Sequence, residues 1–323
     1  MTNLDELLSG AGSVTIAGHI RPDGDCVGSC LAAYNYIRTY HREIRAGLYL
    51  EPIPHIFRFL ARSEEIIHGF PQEEQTDLFL ALDCGDTGRL GGMARWFQTA
   101  KKTVCIDHHI SNTGFADVNY IYPEKSSTSE LIFELLPEER LTKEIAECIY
   151  TGMIHDTGLF QYSSTSRKTM EAAGKLMELG IDYPGIVEKT FFARTYSQNR
   201  IMGLALIKSC LHLDGKCISS VITETEMREY GAAPRHLEGI VSQLRVTKGV
   251  EAAIFLYETG DGSYKVSMRS ADQVDVSEIA VAHGGGGHRR AAGFSMQGDS
   301  AESVRILVGE VAGQLKKLQR GDG

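Results

Sequence analysis

At 323 residues, with 42% apolar and 23% charged side chains, the chain can fill two domain cores and is not a disordered, fibrous or disulfide-scaffold protein. Its net charge of −9 argues against a basic face that coats long nucleic acid. It does not exclude a small phosphorylated ligand, because carboxylates that hold metal ions count as negative without making a site repel phosphate. Seven cysteines without framework spacing fit a reducing compartment. The acidic N-terminus MTNLDELLSG lacks the order of a secretory signal, and no apolar run reaches membrane length. The expected location is the cytoplasm, with no membrane partner.

In chain order, Ser13–Gly18 reads as a short strand running into a Gly/Pro/Asp loop, and Gly28–Tyr40 as an apolar helix. Glu43–Leu50 reads as a second strand, and Asp77–Leu82 and Thr103–Ile106 as buried strands that stop at Asp83 and Asp107. Ser127-Thr128-Ser129-Glu130 has the capping-box pattern of a helix start. Between Thr142 and His155, Ile145, Cys148, Ile149, Gly152 and Met153 fall at helical spacing, which leaves Asp156 at the C-terminal end. This alternation predicts an α/β fold with a doubly wound, mostly parallel sheet, whose ligands gather outside the carboxyl ends of the strands.

Ile186 to Lys208 reads as one long helix, a connector. Beyond it, Cys217–Thr223 and Val250–Tyr257 read as strands, the latter turning at Glu258–Ser263 into Tyr264–Arg269. Val276–Ala282 reads as a short helix, Gly293–Met296 as a strand and Ala301–Leu318 as an amphipathic helix ending in lysines. The expected division is 1–185, a helical connector 186–208, and a smaller α/β domain 209–323, with the active site in the cleft between the domains.

Four aspartate and histidine clusters sit where apolar runs end: His19 with Asp23 and Asp25, Asp83 with Asp86, Asp107-His108-His109, and Asp156. Carboxylates at the ends of buried strands are costly unless a cation compensates them, and a shared divalent-metal site is the simplest compensation. One imidazole and two carboxylates in GHIRPDGDCVGS suit Mn²⁺ better than Zn²⁺; the other reading of D-x-D is a capped turn. Asp83 is either an N-cap or a carboxylate bridging two metals, and Asp86 a cap or an outer residue. Adjacent histidines leaving a strand point opposite ways, so His108 is assigned to the metal and His109 to the substrate or the bridging water. Asp107 orients one imidazole. His155 turns away from Asp156 on the helix. Cys26 and Cys30 share a helical face and read, like Cys84 and Cys105, as small packing residues.

The segment AHGGGGHRRAAG (282–293) is the other strong signal. Four glycines, His-Arg-Arg and helix-forming alanines suggest backbone N–H groups and a helix N-terminus around an anion, with His288, an arginine and Arg269 adding charge. A nucleotide P-loop is excluded, because no Lys-Ser/Thr follows the glycines.

Together GHIRPDGDCVGS, ALDCGD, IDHHISN, GMIHDTGLF and GGGGHRRAAG resemble the DHH/DHHA1 phosphoesterase superfamily, most closely its NrnA-like branch of nanoRNases and pAp phosphatases. The resemblance implies a DHH domain followed by a DHHA1 domain and two Mn²⁺ ions, with Mg²⁺ or Co²⁺ as substitutes. His19 and Asp23 would hold one ion, Asp25, His108 and Asp156 the other, and Asp83 would bridge them. His109 would lie near the scissile phosphate, so Asp83, His108 and His109 form the expected catalytic set. Arg269, Gly285, Gly286, Gly287 and His288 would hold the substrate's other phosphate. A fixed reach between the two sites would favour very short substrates.

The implied activity is hydrolysis of short oligoribonucleotides to mononucleotides, with pAp dephosphorylation as a second reaction. The implied partners are short RNA, dinucleotides or pAp, and a homodimer is among the assemblies the sequence allows. The rivals are a phosphodiesterase for cyclic or linear signalling dinucleotides and, of another class, a catalytically silent nucleotide- or RNA-binding module. An intact ligand set argues against the silent module.

Overall fold

In a computed structural model, residues 3–70, 75–260 and 262–319 are described. The apolar runs of the first half become strands β1 (Ser13–Ala17), β2 (Arg45–Tyr49), β3 (Leu78–Leu82), β4 (Lys102–Asp107) and β5 (Val118–Ile121). They form one all-parallel sheet in the order β2-β1-β3-β4-β5. β1 and β3 are buried at every position, as strands covered on both faces must be. Helices α1 (Leu4–Leu8), α2 (Gly24–Tyr40), α3 (Ala94–Thr99), α4 (Thr128–Leu135), α5 (Lys143–Asp156), α6 (Arg167–Glu178) and α7 (Tyr183–Val187) complete this half. One face of the sheet, with Ile16, Leu80 and Ile106, packs on α2, α4 and α5. The other, with Phe79 and Ala81, packs on α3 and the turn before it.

Two local departures shape the site. Helix α2 starts at Gly24, not Gly28, because the Asp23 carboxylate caps it by accepting the N–H groups of Asp25 and Cys26, both at 3.1 Å. Asp25 therefore lies in the first helical turn. Helix α4 starts where the capping pattern places it, with Ser127 accepting the Glu130 N–H at 3.0 Å. Glu130 does not return the bond: its Oε2 accepts from the Ser126 N–H at 3.2 Å and hydroxyl at 2.6 Å, and from the Thr169 hydroxyl at 2.8 Å.

The connector is not one helix. After α7 the chain makes a π-helical turn over Glu188–Phe192, becomes extended at Ala193, and restarts as α8 (Tyr196–Ile207) under a Thr195–Gln198 capping box. Helical spacing of apolar residues was present across the break, but Thr195 offers its hydroxyl to Gln198 N–H at 3.2 Å and opens a new helix there. The chain separates into two compact units, Met1–Ala193 and Arg194–Gly323.

The second unit is a mixed sheet of β6 (Cys210–His212), β7 (Cys217–Ile222), β8 (Ala252–Gly260), β9 (Ser263–Ser270), β10 (Gly286–His288) and β11 (Ala291–Gln297), in the order β10-β11-β9-β8-β7-β6. Helices α9 (Glu224–Glu229) and α10 (Ile240–Arg245) lie between β7 and β8 in sequence; α11 (Val276–Ala282) and α12 (Ser300–Gln319) follow β9 and β11. One face, with Ile254, Val266 and Met268, packs against α11 and α12, and the other, with Ile218, Ala253 and Phe255, against α8 and α10. The expected hairpin is β8–β9, with a register shift between Glu258 and Gly260; Asp261 of its turn lies outside the described residues. No helix of the described residues is long and apolar enough to cross a membrane.

Helices α2 and α5 touch backbone to backbone at Gly28, where a Cβ would stand 2.5 Å from the Cys148 carbonyl oxygen. Gly28→Ala should therefore destabilise the fold by about 1–3 kcal/mol, read as a lower urea midpoint with unchanged slope.

Candidate functional site

The strand order is that of a doubly wound sheet whose chain reverses direction at β1 and β3, the place where such sheets bind ligands. His19 follows β1 by two residues and Asp83 follows β3 directly. Asp83 takes a left-handed backbone (φ 57°), a strained conformation of the kind found at functional sites, with its N–H held by the Ile106 carbonyl at 3.1 Å. β4 ends on Asp107, and α5 ends on Asp156. Asp86 is not in the cluster; it caps the following turn by accepting the Arg89 N–H at 3.1 Å.

Two of the imidazoles are oriented by backbone carbonyls. His19 Nδ1 pairs with Ile20 O at 2.9 Å and His108 Nδ1 with Lys125 O at 3.3 Å, which assigns the ring proton to Nδ1 and leaves Nε2 for the acids. His19 Nε2 is 3.5 Å from an oxygen of Asp23 and 3.5 Å from Asp83 Oδ2. His108 Nε2 is 2.9 Å from Asp156, 3.8 Å from Asp83 Oδ1 and 3.9 Å from Asp25. Asp83 thus turns one oxygen toward each histidine.

Asp25 is wholly buried. Its two oxygens accept the Thr128 N–H at 2.7 Å and the Ser129 N–H at 2.8 Å, so the N-terminus of α4 faces it, while the Thr128 hydroxyl donates to Asp83 at 3.0 Å. These α4 residues are the ones the sequence reading missed. The capping pattern marks a helix start but says nothing of a carboxylate more than 100 residues away that the helix would meet.

His108 and His109 do not point to opposite sides. The strand ends at Asp107, so strand alternation no longer applies, and both rings approach Asp83 Oδ1, at 3.8 and 3.7 Å, with centroids 5.1 Å apart. Asp107 is the residue that orients His109: it accepts from its Nδ1 at 2.6 Å, and also from the His108 N–H at 2.9 Å and the Asn112 amide at 2.7 Å. Nε2 is then the one polar ring atom His109 has left, on a side chain 41% exposed.

The electrostatics ask for a cation. Burial lowers the pKa of His19, but its bonds to Asp23 and Asp83 outweigh this and raise it to about 11. Burial likewise opposes a charged His108, and Asp156 and Asp25 still raise it to about 10. Burial, with Asp83 and Asp156 nearby, pushes Asp25 well up. An imidazole lone pair facing carboxylate oxygens is tolerable only with a proton or a metal ion between them. Imidazole nitrogen and carboxylate oxygen are donors that divalent ions accept, and the groups Asp25/His108/Asp156 and Asp83/His108/His109 each have ligand atoms within 4.8 Å of one another. His19 and Asp83 form a third such group with Cys26. Burial pushes that thiol well up, which favours the neutral form over the thiolate a metal would bind.

His155 does turn away: its half-buried ring packs between Phe57 and Phe191, at ring distances of 4.9 and 4.4 Å, and desolvation lowers its pKa to about 4.

In the second unit the register sets His288, Ala291 and Arg269 abreast on adjacent strands. Residues directly opposite share a face, so the His288 and Arg269 side chains lie on one side with only a methyl group between them. Arg269 is partly buried, which lowers its pKa, and its guanidinium donates to the Met268 carbonyl at 3.0 Å. The expected helix after His-Arg-Arg is absent, because Ala291 and Ala292 open β11 and pair with β9 and β10. The glycines are needed for that hairpin: at Gly287 (φ 151°) a Cβ would lie 2.4 Å from the Ala291 carbonyl oxygen. Arg290 is turned to Asp272 at 2.9 Å.

Two family models match the chain in order: the DHH family N-terminal domain over residues 13–153 and the DHHA1 domain over 214–317. The chain belongs to the DHH/DHHA1 phosphoesterase family. Within it the similarity runs to the NrnA-like branch. The bifunctional oligoribonuclease and PAP phosphatase NrnA of Thermus thermophilus is 28% identical over 89% of this chain and 85% of its own. Its Bacillus subtilis namesake is 27% identical over 95% of this chain and 96% of its own. The crystal structure of an exopolyphosphatase-related protein from Bacteroides fragilis matches with a TM-score of 0.87 at 27% identity, over 98% of this chain and 96% of that one. The DHH match carries His19, Asp23, Asp25, Asp83, His108 and His109, with Asp156 three residues beyond its end, and the DHHA1 match carries Arg269 and the glycine hairpin.

Because the Asp107 bond is the largest cause of the raised His109 pKa, Asp107→Asn should lower it toward the ordinary imidazole range. An NMR titration of the metal-free protein would show the His109 ring signals moving at lower pH than in the wild type.

Proposed function

We propose that this DHH/DHHA1 phosphoesterase hydrolyses short oligoribonucleotides to mononucleotides, and pAp as a second substrate, with two Mn²⁺ ions that Mg²⁺ or Co²⁺ can replace. The observation that carries the reading is the Asp83 carboxylate, buried, with Oδ2 facing His19 and Oδ1 facing His108. That is the disposition a carboxylate shared between two ions requires. His19 and Asp23 would hold one ion, and Asp25, His108 and Asp156 the other. Bound divalent ions supply Lewis acidity, lower the pKa of water and offset charge on the phosphoryl and leaving oxygens.

The side chains provide the rest. The α4 amides hold Asp25 and the Thr128 hydroxyl holds Asp83, so the ligand oxygens need not reorganise as charge develops. His109, anchored by Asp107, which also raises its pKa, donates from Nε2 to the phosphoryl group being cut. Water adds to phosphorus, the bond from phosphorus to the leaving nucleoside oxygen breaks, and that oxygen takes up a proton. Arg269, His288 and the N–H groups of Gly285, Gly286 and Gly287 bind a second phosphate of the substrate. The NrnA relatives, which are named as oligoribonucleases and PAP phosphatases and span this chain nearly end to end, support the substrate class.

Incubation with Mn²⁺ and a 5′-phosphorylated RNA dinucleotide, a long RNA, a cyclic dinucleotide or pAp tests this directly. Fast loss of the dinucleotide, slow loss of the long RNA and turnover of pAp are expected. Turnover of the cyclic dinucleotide alone would put the signalling phosphodiesterase in its place, and metal binding without any turnover would favour the silent binding module. Asp83→Ala should reduce kcat by about 10²–10³-fold or more with the circular dichroism spectrum unchanged. Arg269→Ala should raise KM by about 10- to 100-fold, the scale of a lost charged hydrogen bond, and leave metal content as in the wild type.

A further inference from the structure

Next to the acid cluster, beyond the carboxyl ends of β1 and β2, lies a cavity of about 280 Å³ that nothing in the reaction above uses. Its wall includes His19, so the cavity and the candidate metal centre share a residue. The wall is otherwise mainly apolar, with Tyr49, Leu50, Phe70, Leu90 and Met93. Glu51 and His68 add polar atoms: Glu51 accepts the Arg21 N–H at 2.6 Å, and His68 Nδ1 pairs with the Leu50 carbonyl at 3.1 Å, leaving Nε2 as its other polar atom. Apolar walls with a few placed polar groups are the usual make-up of small-molecule sites. The volume falls just under the roughly 300–1,000 Å³ typical of such sites, which suits one ring system and not a whole dinucleotide.

Phe70 is the unusual element. It is 61% exposed, yet its ring tip is seated on Gly92, where a Cβ would stand 2.1 Å from Phe70 Cζ. Glycine at 92 lets the aromatic ring lie against the backbone at the edge of the cavity while most of its surface stays open to stack on something else.

We infer that this pocket takes the nucleobase of the nucleoside next to the phosphate being cut, with Phe70 as the stacking wall. The inference rests on the phosphodiesterase reading, because a phosphoester held beside His19 and Asp83 brings its own ribose and base to the cavity His19 lines. Every base has a π-face, so stacking here tolerates any base and suits an enzyme that degrades mixed sequences.

Phe70→Ala and Phe70→Tyr are compared with the wild type on a 5′-phosphorylated dinucleotide and on the same compound with both bases removed. For Phe70→Ala, KM for the natural dinucleotide should rise roughly fivefold to a hundredfold, the range that base–aromatic stacking spans, with kcat unchanged. KM for the abasic compound should not move, and Phe70→Tyr should restore the wild-type value. Equal KM for both compounds in the wild type, or an equal rise for both in Phe70→Ala, would overturn the inference.

Calorimetry with AMP and ribose 5-phosphate reads the pocket without turnover. AMP should bind more tightly than ribose 5-phosphate, and Phe70→Ala should remove the difference. If the wild type cleaves no dinucleotide but keeps this Phe70-dependent preference, the hydrolytic reading falls and the base pocket stands. If it cleaves the dinucleotide and Phe70→Ala changes neither KM nor the AMP preference, the pocket falls and the hydrolytic reading stands.

Discussion

Asp25 is a carboxylate with no access to water, 3.9 Å from the His108 ring, and the first unit is organised around making it tolerable. Taking such a charge out of water costs several kcal/mol unless hydrogen bonds and opposite charge compensate it. Two backbone amides at the start of α4 supply the hydrogen bonds, and the end of α5 brings His108's partner Asp156 to the same place. Helices α2, α4 and α5 must therefore meet at one point. Gly28 permits it, because at that position α2 and α5 touch through backbone atoms.

The same arrangement pre-forms the chemistry. Imidazoles anchored through Nδ1 to carbonyls, and carboxylates anchored by amides and a hydroxyl, have little freedom left to lose when a cation and a phosphate arrive. Polar and apolar requirements are separated by position around His19. Asp83 and His108 lie to one side of His19, and the apolar cavity, lined by Leu50, Phe70, Leu90 and Met93, borders it on another. In the second unit the hairpin β10–β11 achieves a similar economy, since a strand register that needs glycine for close approach also sets His288 and Arg269 on one face.

Much of the site was legible because its signals are local. A wholly apolar strand interrupted by Asp83, a strand running into Asp107-His108-His109 and a helix ending on Asp156 each show in a window of a few residues, since burial and helical or extended spacing are short-range properties. The readings that failed concern the competition between neighbours. Ala291 and Ala292 favour helix by propensity but pair as strand, because β9 offers them a ladder and an apolar face. The expected connector helix breaks at Ala193, where Thr195 caps a new one. His108 and His109 are expected to point opposite ways by strand alternation, but the strand stops at Asp107 and both rings approach Asp83.

The sequence by itself determined the fold class, the residue types at the site and the element ends at Asp83, Asp107 and Asp156, because those follow from spacing, capping and burial along the chain. Only the tertiary structure decided which groups meet: that the α4 amides serve Asp25, that Asp107 orients the His109 ring and not the His108 ring, that Asp86 stands aside as a cap, and that His19 borders an apolar cavity. These pairings join residues far apart in the chain through the order β2-β1-β3-β4-β5, and strand order depends on the packing of whole faces, which no short window of sequence contains.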